Sequence, residues 1–205
     1  LGYNVPIAQT GVTLANLSTY STFKQLGAVM HSTPILLTQE GKIKVVAGEL
    51  TTTDRKDYLL YGSTQGVLHV VDVATGKEVF GFIPDEVMKN QPSAFLPEDK
   101  TAGGSSNLFY GIDAPWVAHT KYTTKTSGLL TVNASDRTLT DEDDSEKLSG
   151  YQWVYGGLRM GGKSYYALDL SDIQNPELKF HINPDAIDAS QPLKRMGQSW
   201  SKPTL

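Results

Sequence analysis

The sequence predicts an all-β fold: a β-propeller built of four-stranded antiparallel blades with long insertions, of which only about two blades are present. Three observations carry this prediction. Short segments of β-branched and aromatic residues alternate with glycine-containing turns, the pattern occurs twice, and a proline-containing marker precedes each occurrence. Such segments are typical of a β-meander, and four strands in radial repetition are typical of a propeller blade.

The first meander lies between Tyr58 and Pro84. Its three predicted strands are Tyr58–Tyr61, Val67–Val73 and Glu78–Ile83, and each is followed by a glycine-containing turn or by proline. The middle strand is apolar on both faces, which predicts a sheet that is covered on both sides.

The second meander repeats the first one later in the chain. We expect Trp153–Tyr155, Tyr165–Leu170 and Leu178–Ile182 to form consecutive antiparallel strands of one sheet. Each of these segments corresponds in order and character to a strand of the first meander.

The markers are Ser32-Thr33-Pro34, Asp113-Ala114-Pro115 and Ser201-Lys202-Pro203. Proline suits the first position of a strand because no N–H is needed there for the ladder. Each marker is therefore predicted to open the first strand of a blade.

These boundaries divide one partial propeller domain, residues 1–205, into three parts. Blade one covers about residues 23–110, blade two covers about 111–196, and 197–205 begin blade three. A propeller needs ~4–8 blades to close its ring, so we expect this chain to be a piece of a longer protein.

The first unit contains further predicted elements. Pro34–Thr38 is expected to be its first strand, Gln39–Gly41 a turn, and Ile43–Ala47 a hairpin extension. Thr51–Lys56 is expected to be a polar loop. Pro84–Lys89 is predicted to form a short helix, because proline and acidic residues suit a first helical turn.

In the second unit, Pro115–Tyr122 and Gly128–Val132 are the predicted strands. Two long polar segments, Gln91–Ser106 and Asn133–Ser149, are the candidate binding loops, since variable function commonly lies in loops on a rigid scaffold. His31, just before the first marker, is predicted to be a hydrogen-bonded structural residue.

The predicted roles of Asp72, Thr75, Gly76 and Asp169 are structural. Asp72 is placed to accept hydrogen bonds from backbone N–H groups two or three residues on, as in an Asx-turn. Gly76 supplies the positive φ that such a turn needs. Asp169 occupies the same position in the second meander, and no residue is predicted to be catalytic or to bind a cofactor.

Two segments resemble ligand-binding motifs. Asp141, Asp143 and Asp144 form an acidic run of the kind that binds hard cations such as Ca²⁺. The alternating pattern and glycine of a calcium loop are missing, so a solvated loop without an ion is predicted. Gly157–Ser164 has the letters of a phosphate-binding loop, but that motif needs a helix after Ser164, where the sequence predicts a strand.

Composition excludes several classes of protein. The formal net charge of −4 gives no electrostatic footprint for nucleic acid. The absence of cysteine excludes disulfides and thiolate metal sites. No segment reaches the ~18 apolar residues of a membrane-spanning helix.

Four motifs resemble, in the same order, those of the PilC/PilY family of type IV pilus tip adhesins and biogenesis proteins. They are Leu26–Pro34, Tyr110–Pro115, Gly156–Asp169 and Gly197–Pro203. The resemblance implies a C-terminal β-propeller in a non-enzymatic, exported protein at the pilus tip, outer membrane or cell surface. It also implies roles in pilus biogenesis, twitching motility and adhesion.

The same resemblance implies the partners: minor pilins and the pilus tip, a host or surface receptor, and the remaining blades of the same chain. Members of the family carry an Asp/Asn-rich calcium loop. The run Asp141–Asp144 does not have its alternating pattern, so no cofactor is expected in this piece and calcium is an expectation for the full-length protein.

A second resemblance leaves two other hypotheses open. Val70–Phe80 is similar to the tryptophan-docking motif of quinoprotein dehydrogenase propellers, with Phe80 in place of the tryptophan. After Asp169 the Thr-Gly-Lys of that motif is missing. The alternatives to the pilus protein are therefore a pyrroloquinoline quinone dehydrogenase and a periplasmic scaffold propeller like the outer-membrane assembly lipoproteins.

Overall fold

The structure is a computed structural model that describes residues 2–3, 5, 9–23, 26–95, 108–138 and 147–204. It is all-β, with antiparallel sheets and a single short α-helix among these residues, as predicted. The strands of the first half are β1 Gly2–Tyr3, β2 Thr22–Phe23, β3 Ile35–Val46, β4 Glu49–Gly62, β5 Leu68–Asp72 and β6 Glu78–Phe82. Those of the second half are β7 Val117–Lys121, β8 Thr123–Thr124, β9 Leu130–Thr131, β10 Ala134–Thr138, β11 Lys147–Ser149, β12 Tyr151–Gly157, β13 Tyr165–Asp169 and β14 Glu177–Ile182.

Helical structure is limited to short segments. Helix α1, Asp85–Asn90, follows Pro84 and has acidic residues in its first turn and Lys89 in its last, which confirms the predicted helix. Single 3₁₀ turns lie at Leu17–Thr19, Pro92–Phe95, Arg159–Gly161, Pro184–Ala186 and Pro192–Arg195. In the described part of the chain, no helix is long and apolar enough to cross a membrane.

The second meander forms a four-stranded antiparallel sheet in the order β14-β13-β12-β7. Trp153 pairs with His119 on one side and with Asp169 on the other, and Tyr165 pairs with Ile182. This confirms the expected consecutive strands. Because β13 begins directly after Ser164, no helix follows the Gly157–Ser164 segment, and the phosphate-loop interpretation is excluded.

The first meander lies in a six-stranded sheet in the order β6-β5-β4-β3-β9-β8. Its first four strands repeat the meander of the second sheet. Strand β9, which the sequence assigned to the second unit, pairs with β3 through Glu40–Thr131 and Gly41–Leu130. The first sheet is therefore completed by strands that come from the second unit, and neither sheet closes on itself within the described residues.

The β3–β4 hairpin is much longer than the sequence predicted. Strand β3 runs without interruption past Gln39–Gly41, so the predicted turn there was wrong, and the predicted polar loop Thr51–Lys56 is part of β4. The chain reverses instead at Ala47 and Gly48, whose φ angles of 54° and 87° suit a two-residue type I′ turn. The threonines of β4 are β-branched and fit a strand when a partner strand lies opposite.

Strands β10 and β11 pair with each other, Ala134 with Ser149 and Thr138 with Lys147. The ends of the predicted insertion Asn133–Ser149 therefore form a hairpin. The acidic residues Asp141, Asp143 and Asp144 lie outside the described residues.

One core joins the two sheets. Leu37, Leu60 and Val70 from the first sheet pack in the same buried cluster as Val154 and Leu168 from the second. The other buried members of this cluster are Tyr58, Leu68, Val87, Ile112, Trp116, Leu158, Tyr166, Leu170 and Ile173. This core covers the face of β5 that carries Leu68 and Val70, whereas Val71 on the opposite face is only partly buried, so the two-sided cover predicted for this strand is incomplete among the described residues.

The turn at the tip of the long hairpin gives a test of the backbone geometry. Ala47→Asn is expected to stabilise the protein by up to ~1 kcal/mol, because Asn tolerates the left-handed conformation that costs Ala ~1–2 kcal/mol. The substitution should raise the urea midpoint without a change in m-value. Gly48→Ala, the matched control, should lower the midpoint, and an unchanged midpoint in both variants would contradict the type I′ turn.

Candidate functional site

The carboxylate of Asp113, in the second marker, is completely buried and is held by two basic side chains. His31 Nδ1 donates to it at 2.8 Å, and an Arg159 guanidinium nitrogen donates at 2.7 Å. His31 is thus a hydrogen-bonded residue, as the sequence indicated. A buried carboxylate is tolerated only when such partners offset its lost hydration.

The segment just before the third marker packs around the turn that carries Arg159. Ser199 Oγ accepts a hydrogen bond from Leu158 N at 2.8 Å, and Ser199 N donates to Gly162 O at 3.1 Å. The ring of Trp200 lies 5.1 Å from the Arg159 guanidinium carbon, in a cation–π contact. Residues in the second marker and in the segments just before the first and third markers therefore meet at one place.

The backbone of this turn is constrained. Arg159 has a φ of 52°, a left-handed conformation that L-residues rarely adopt. Two residues on, a Cβ on Gly161 would lie 1.7 Å from the carbonyl oxygen of Gly111, so only glycine allows the two segments to approach this closely. Gly161, one of the glycines of the segment that resembles a phosphate loop, is thus required for close packing against the residues just before the second marker.

The same docking occurs one unit earlier. Ser32 Oγ accepts a hydrogen bond from Gly62 N at 2.7 Å, and Ile112 N donates to Ser63 O at 3.0 Å. Ala28 O, in the segment before the first marker, accepts from Thr64 N at 2.9 Å. The turn after β4 in the first meander and the turn after β12 in the second are therefore the surfaces on which the markers and the segments before them dock.

A pair of buried amides links the two sheets. Gln39 Nε2 donates to Gln152 Oε1 and to Leu170 O, both at 2.7 Å. Gln152 Nε2 in turn donates to Thr38 O and to Thr120 Oγ1, both at 3.2 Å. A buried polar network in which each member has a partner fixes the registry of the surfaces that it joins.

The predicted turn residues of the first meander lie together between β5 and β6. Asp72 Oδ1 accepts a hydrogen bond from Thr75 N at 2.9 Å, and Asp72 O accepts one from Gly76 N at 2.8 Å. Gly76 has a φ of 67°. These residues close a hairpin and make no contact that suggests a bound ligand.

Asp169 has a richer set of partners in the second meander. Its carboxylate accepts hydrogen bonds from the backbone and side chain of Ser171, from Trp153 Nε1 at 2.7 Å and from Lys179 Nζ at 3.3 Å. Burial raises its pKa, but the Ser171, Lys179 and Trp153 hydrogen bonds outweigh burial and lower the pKa below its usual value of 3.8. Lys179 also lies 4.2 Å from the centre of the Trp153 ring.

Ser63, His69 and Glu78 have the connectivity of a hydrolase triad. His69 Nε2 lies 3.1 Å from Ser63 Oγ, and His69 Nδ1 lies 2.9 Å from Glu78 Oε1. Ser63 is fully buried, however, and His69 stacks beneath the ring of Tyr61. A nucleophile must reach its substrate, so these contacts stabilise the strands. No motif marks this trio in the sequence, because its members lie in the turn after β4, in β5 and in β6.

The outer face of the second sheet carries an apolar cavity of about 250 Å³. Phe180 on β14, which lines this cavity, is about half exposed. The lining residues are Tyr155, Gly156, Tyr165, Tyr166, Phe180, Ile182, Ser201 and Pro203. An exposed, mainly aromatic surface of this kind is typical of a site that another protein layer covers.

Tyr166 joins this face to the first sheet. Its ring stacks on His181 at 4.2 Å and meets the edge of Phe82 at 5.3 Å. Burial raises the pKa of Tyr166 to about 12, so its hydroxyl stays neutral at physiological pH.

Metal ligands do not converge in the part of the chain that the structure describes. No three His, Asp or Glu side chains there come close enough together to hold an ion. The run containing Asp141, Asp143 and Asp144 is outside this part, so the predicted absence of an ion there stays a prediction.

No protein-family model and no curated protein matches the chain. Among solved structures, it is similar to the C-terminal domain of PilY1 from Pseudomonas aeruginosa, with 26% sequence identity and a TM-score of 0.41. The match covers 74% of this chain and 22% of that chain. The chain therefore spans about a fifth of the length of the solved domain that it matches.

The ion pair at Asp113 predicts a large effect of a single substitution. Arg159→Met leaves the buried carboxylate with only His31 as a basic partner and should cost ~3 kcal/mol, near the low end for a broken buried pair. Chemical unfolding monitored by tryptophan fluorescence measures this loss.

Two variants serve as controls for this measurement. Adding Asp113→Asn to Arg159→Met should restore part of the stability, because the uncompensated charge is gone. Lys89→Ala, which breaks the exposed pair with Asp85, should change stability by less than ~1 kcal/mol. Equal effects of Arg159→Met and Lys89→Ala would contradict the role of the buried pair.

The lowered pKa of Asp169 predicts a pH dependence. Because the pKa of Asp169 is lower in the folded state than the usual 3.8 of the unfolded state, its carboxylate stabilises the fold above about pH 3.8. This stabilisation is lost as the pH falls through the folded-state pKa. Asp169→Asn should therefore be less stable than the unsubstituted protein near pH ~7, and the difference should narrow below about pH 4. A difference in urea midpoint that is constant over this range would contradict the assignment.

Proposed function

We propose that this chain is part of a non-enzymatic, pilus-associated surface protein of the PilC/PilY type, which supports type IV pilus biogenesis, twitching motility and adhesion. One observation carries the proposal. The four motifs that resemble this family are the segments that meet around Asp113 and Arg159. Motifs that are distant in sequence and adjacent in space form one structural unit of this chain, so the four resemblances fall in one place and support a single assignment.

The proposed architecture is a β-propeller. Support comes from the repetition of one meander in two sheets, and from markers that dock on the turns of meanders. When the same contact between neighbouring units repeats along the chain, the units form a radial array. In this proposal, the aromatic face around Phe180 and Tyr165 receives the next blade, which makes the remaining blades of the chain its first partner.

Binding to other molecules is assigned to the loops and insertions. The β10–β11 hairpin lies between β9 and β12 in the sequence, and the residues that connect its strands include the acidic run 141–144. We place contacts with minor pilins, the pilus tip or a surface receptor on such insertions, because they vary without disturbing the sheets. Export to the pilus tip, outer membrane or cell surface belongs to the same proposal.

The test uses the full-length gene in its native bacterium. Deletion should abolish or sharply reduce surface pili, twitching zones and attachment, and complementation with the unsubstituted gene should restore all three. Arg159→Met should complement poorly and Lys89→Ala fully, with immunoblots of whole cells to compare protein levels. Normal pili and motility in the deletion strain would overturn the proposal.

Two further measurements address the alternatives. Labelling of intact cells with a membrane-impermeant reagent should modify the protein, whereas a periplasmic scaffold would be protected. The full-length protein supplied with pyrroloquinoline quinone and Ca²⁺ should not reduce a dye with alcohols or sugars as substrate. Dehydrogenase turnover would instead identify a quinoprotein.

A further inference from the structure

The distal half of the β3–β4 hairpin, residues 42–53, stands apart from the sheet, and we call it the arm. Strand β9 pairs with β3 only as far as Gly41, and β5 pairs with β4 only from Tyr58 onward. The arm is therefore a two-stranded ribbon with two open edges among the described residues. An isolated two-stranded ribbon is only marginally stable in water. We therefore expect a partner to stabilise the arm.

The two faces of the arm differ in chemistry. Ile43, Val45 and Leu50 share one face, since Ile43 pairs with Thr52 and Val45 with Leu50. These three side chains are 59%, 68% and 77% exposed. Lys42, Lys44 and Val46 project from the other face, so residues 42–45 of the edge strand alternate basic and apolar side chains.

The apolar face continues into a cavity of about 190 Å³ at the base of the arm. Ile43 and Thr52 line the cavity from the arm, and Tyr122 and Leu130 line it from the second unit. A side chain that extends along the apolar face would therefore find an anchoring point next to the end of β9.

The backbone of β3 offers unpaired groups along the same edge. A two-residue turn closes on a hydrogen-bonded pair, here Val46 and Glu49, and the antiparallel pattern then alternates along the ribbon. The N–H and C=O groups of Ile43 and Val45 consequently point away from β4, toward the open edge. They are spaced as an added strand requires.

We propose that the edge Lys42–Val46 binds an extended strand of a partner protein that alternates apolar and acidic residues. Apolar side chains of that strand would pack beside Ile43 and Val45, and its carboxylates would lie beside Lys42 and Lys44. Lys44 is opposite Thr51 and forms no ion pair with a carboxylate of the described residues, whereas Lys42 forms a pair with Asp54 at 3.6 Å, so Lys44 is the main binding charge. This proposal does not depend on the pilus assignment.

A second copy of the chain is a poorer occupant of the same edge. Two copies could pair these edges about a two-fold axis in two registers. With Ile43 opposite Ile43, Lys44 lies opposite Lys42 of the other copy. With Ile43 opposite Val45, Lys44 lies opposite Lys44. Like charges directly opposite one another in a sheet are destabilising, and edge lysines are a common protection against such pairing. The charge pattern therefore favours an acidic strand.

The test measures binding of a labelled heptapeptide that alternates valine and glutamate, by fluorescence anisotropy at low salt. Val45→Pro removes the outward N–H without breaking a bond to β4 and should weaken binding about tenfold. Leu50→Pro makes the same change directly opposite, on the other edge, and should bind like the unsubstituted chain. A peptide with N-methylated valines should not bind.

A charge reversal tests the lysine pattern. Lys44→Glu should weaken binding of the valine–glutamate peptide and create binding of a valine–lysine peptide, each by on the order of tenfold. Circular dichroism confirms that each variant folds. Equal binding by Val45→Pro and Leu50→Pro, equal binding of both peptides, or sedimentation as a dimer that Val45→Pro dissolves would overturn the proposal.

Discussion

The buried carboxylate of Asp113 is the constraint on which the joining of the units depends. Removing a charge from water costs several kcal/mol unless partners replace the lost hydration. His31 and Arg159 supply those partners from the first and second units, and Trp200, just before the third marker, lies over the guanidinium. The carboxylate therefore has both partners only when the first and second units are docked, which couples the packing of one unit to that of the next.

The sequence predicted what local physics controls. The strands of both meanders, helix α1 and the all-β class follow from side-chain alternation, turn residues and a proline-led acidic turn. The glycine-rich Gly157–Ser164 segment was correctly assigned to a turn, because the two tyrosines after Ser164 favour a strand over a helix. The hydrogen bond of His31 was also expected, although its partner was not.

The parts that the sequence did not predict depend on contacts between distant segments. Thr51–Lys56 is polar and resembles a loop, yet it pairs with β3 because the reversal occurs at Ala47 rather than at Gly41. The pairing of Asp113 with Arg159 joins residues 46 positions apart, and the trio around His69 lies on neighbouring strands with no sequence motif that marks it. Neither sheet closes a ring among the described residues, so the propeller predicted from the sequence stays a prediction.

The pairing of β9 with β3 has a consequence for biosynthesis. Glu40 and Thr131 are 91 positions apart in the chain. At ~5–20 residues per second, a ribosome needs roughly 5–20 s to make the segment that completes the first sheet. Throughout that interval the edge of the nascent β3 has no partner. Lys42 and Lys44 beside this edge then have a role during synthesis as well as in the folded protein. Their charges keep unfinished chains on neighbouring ribosomes from pairing with one another.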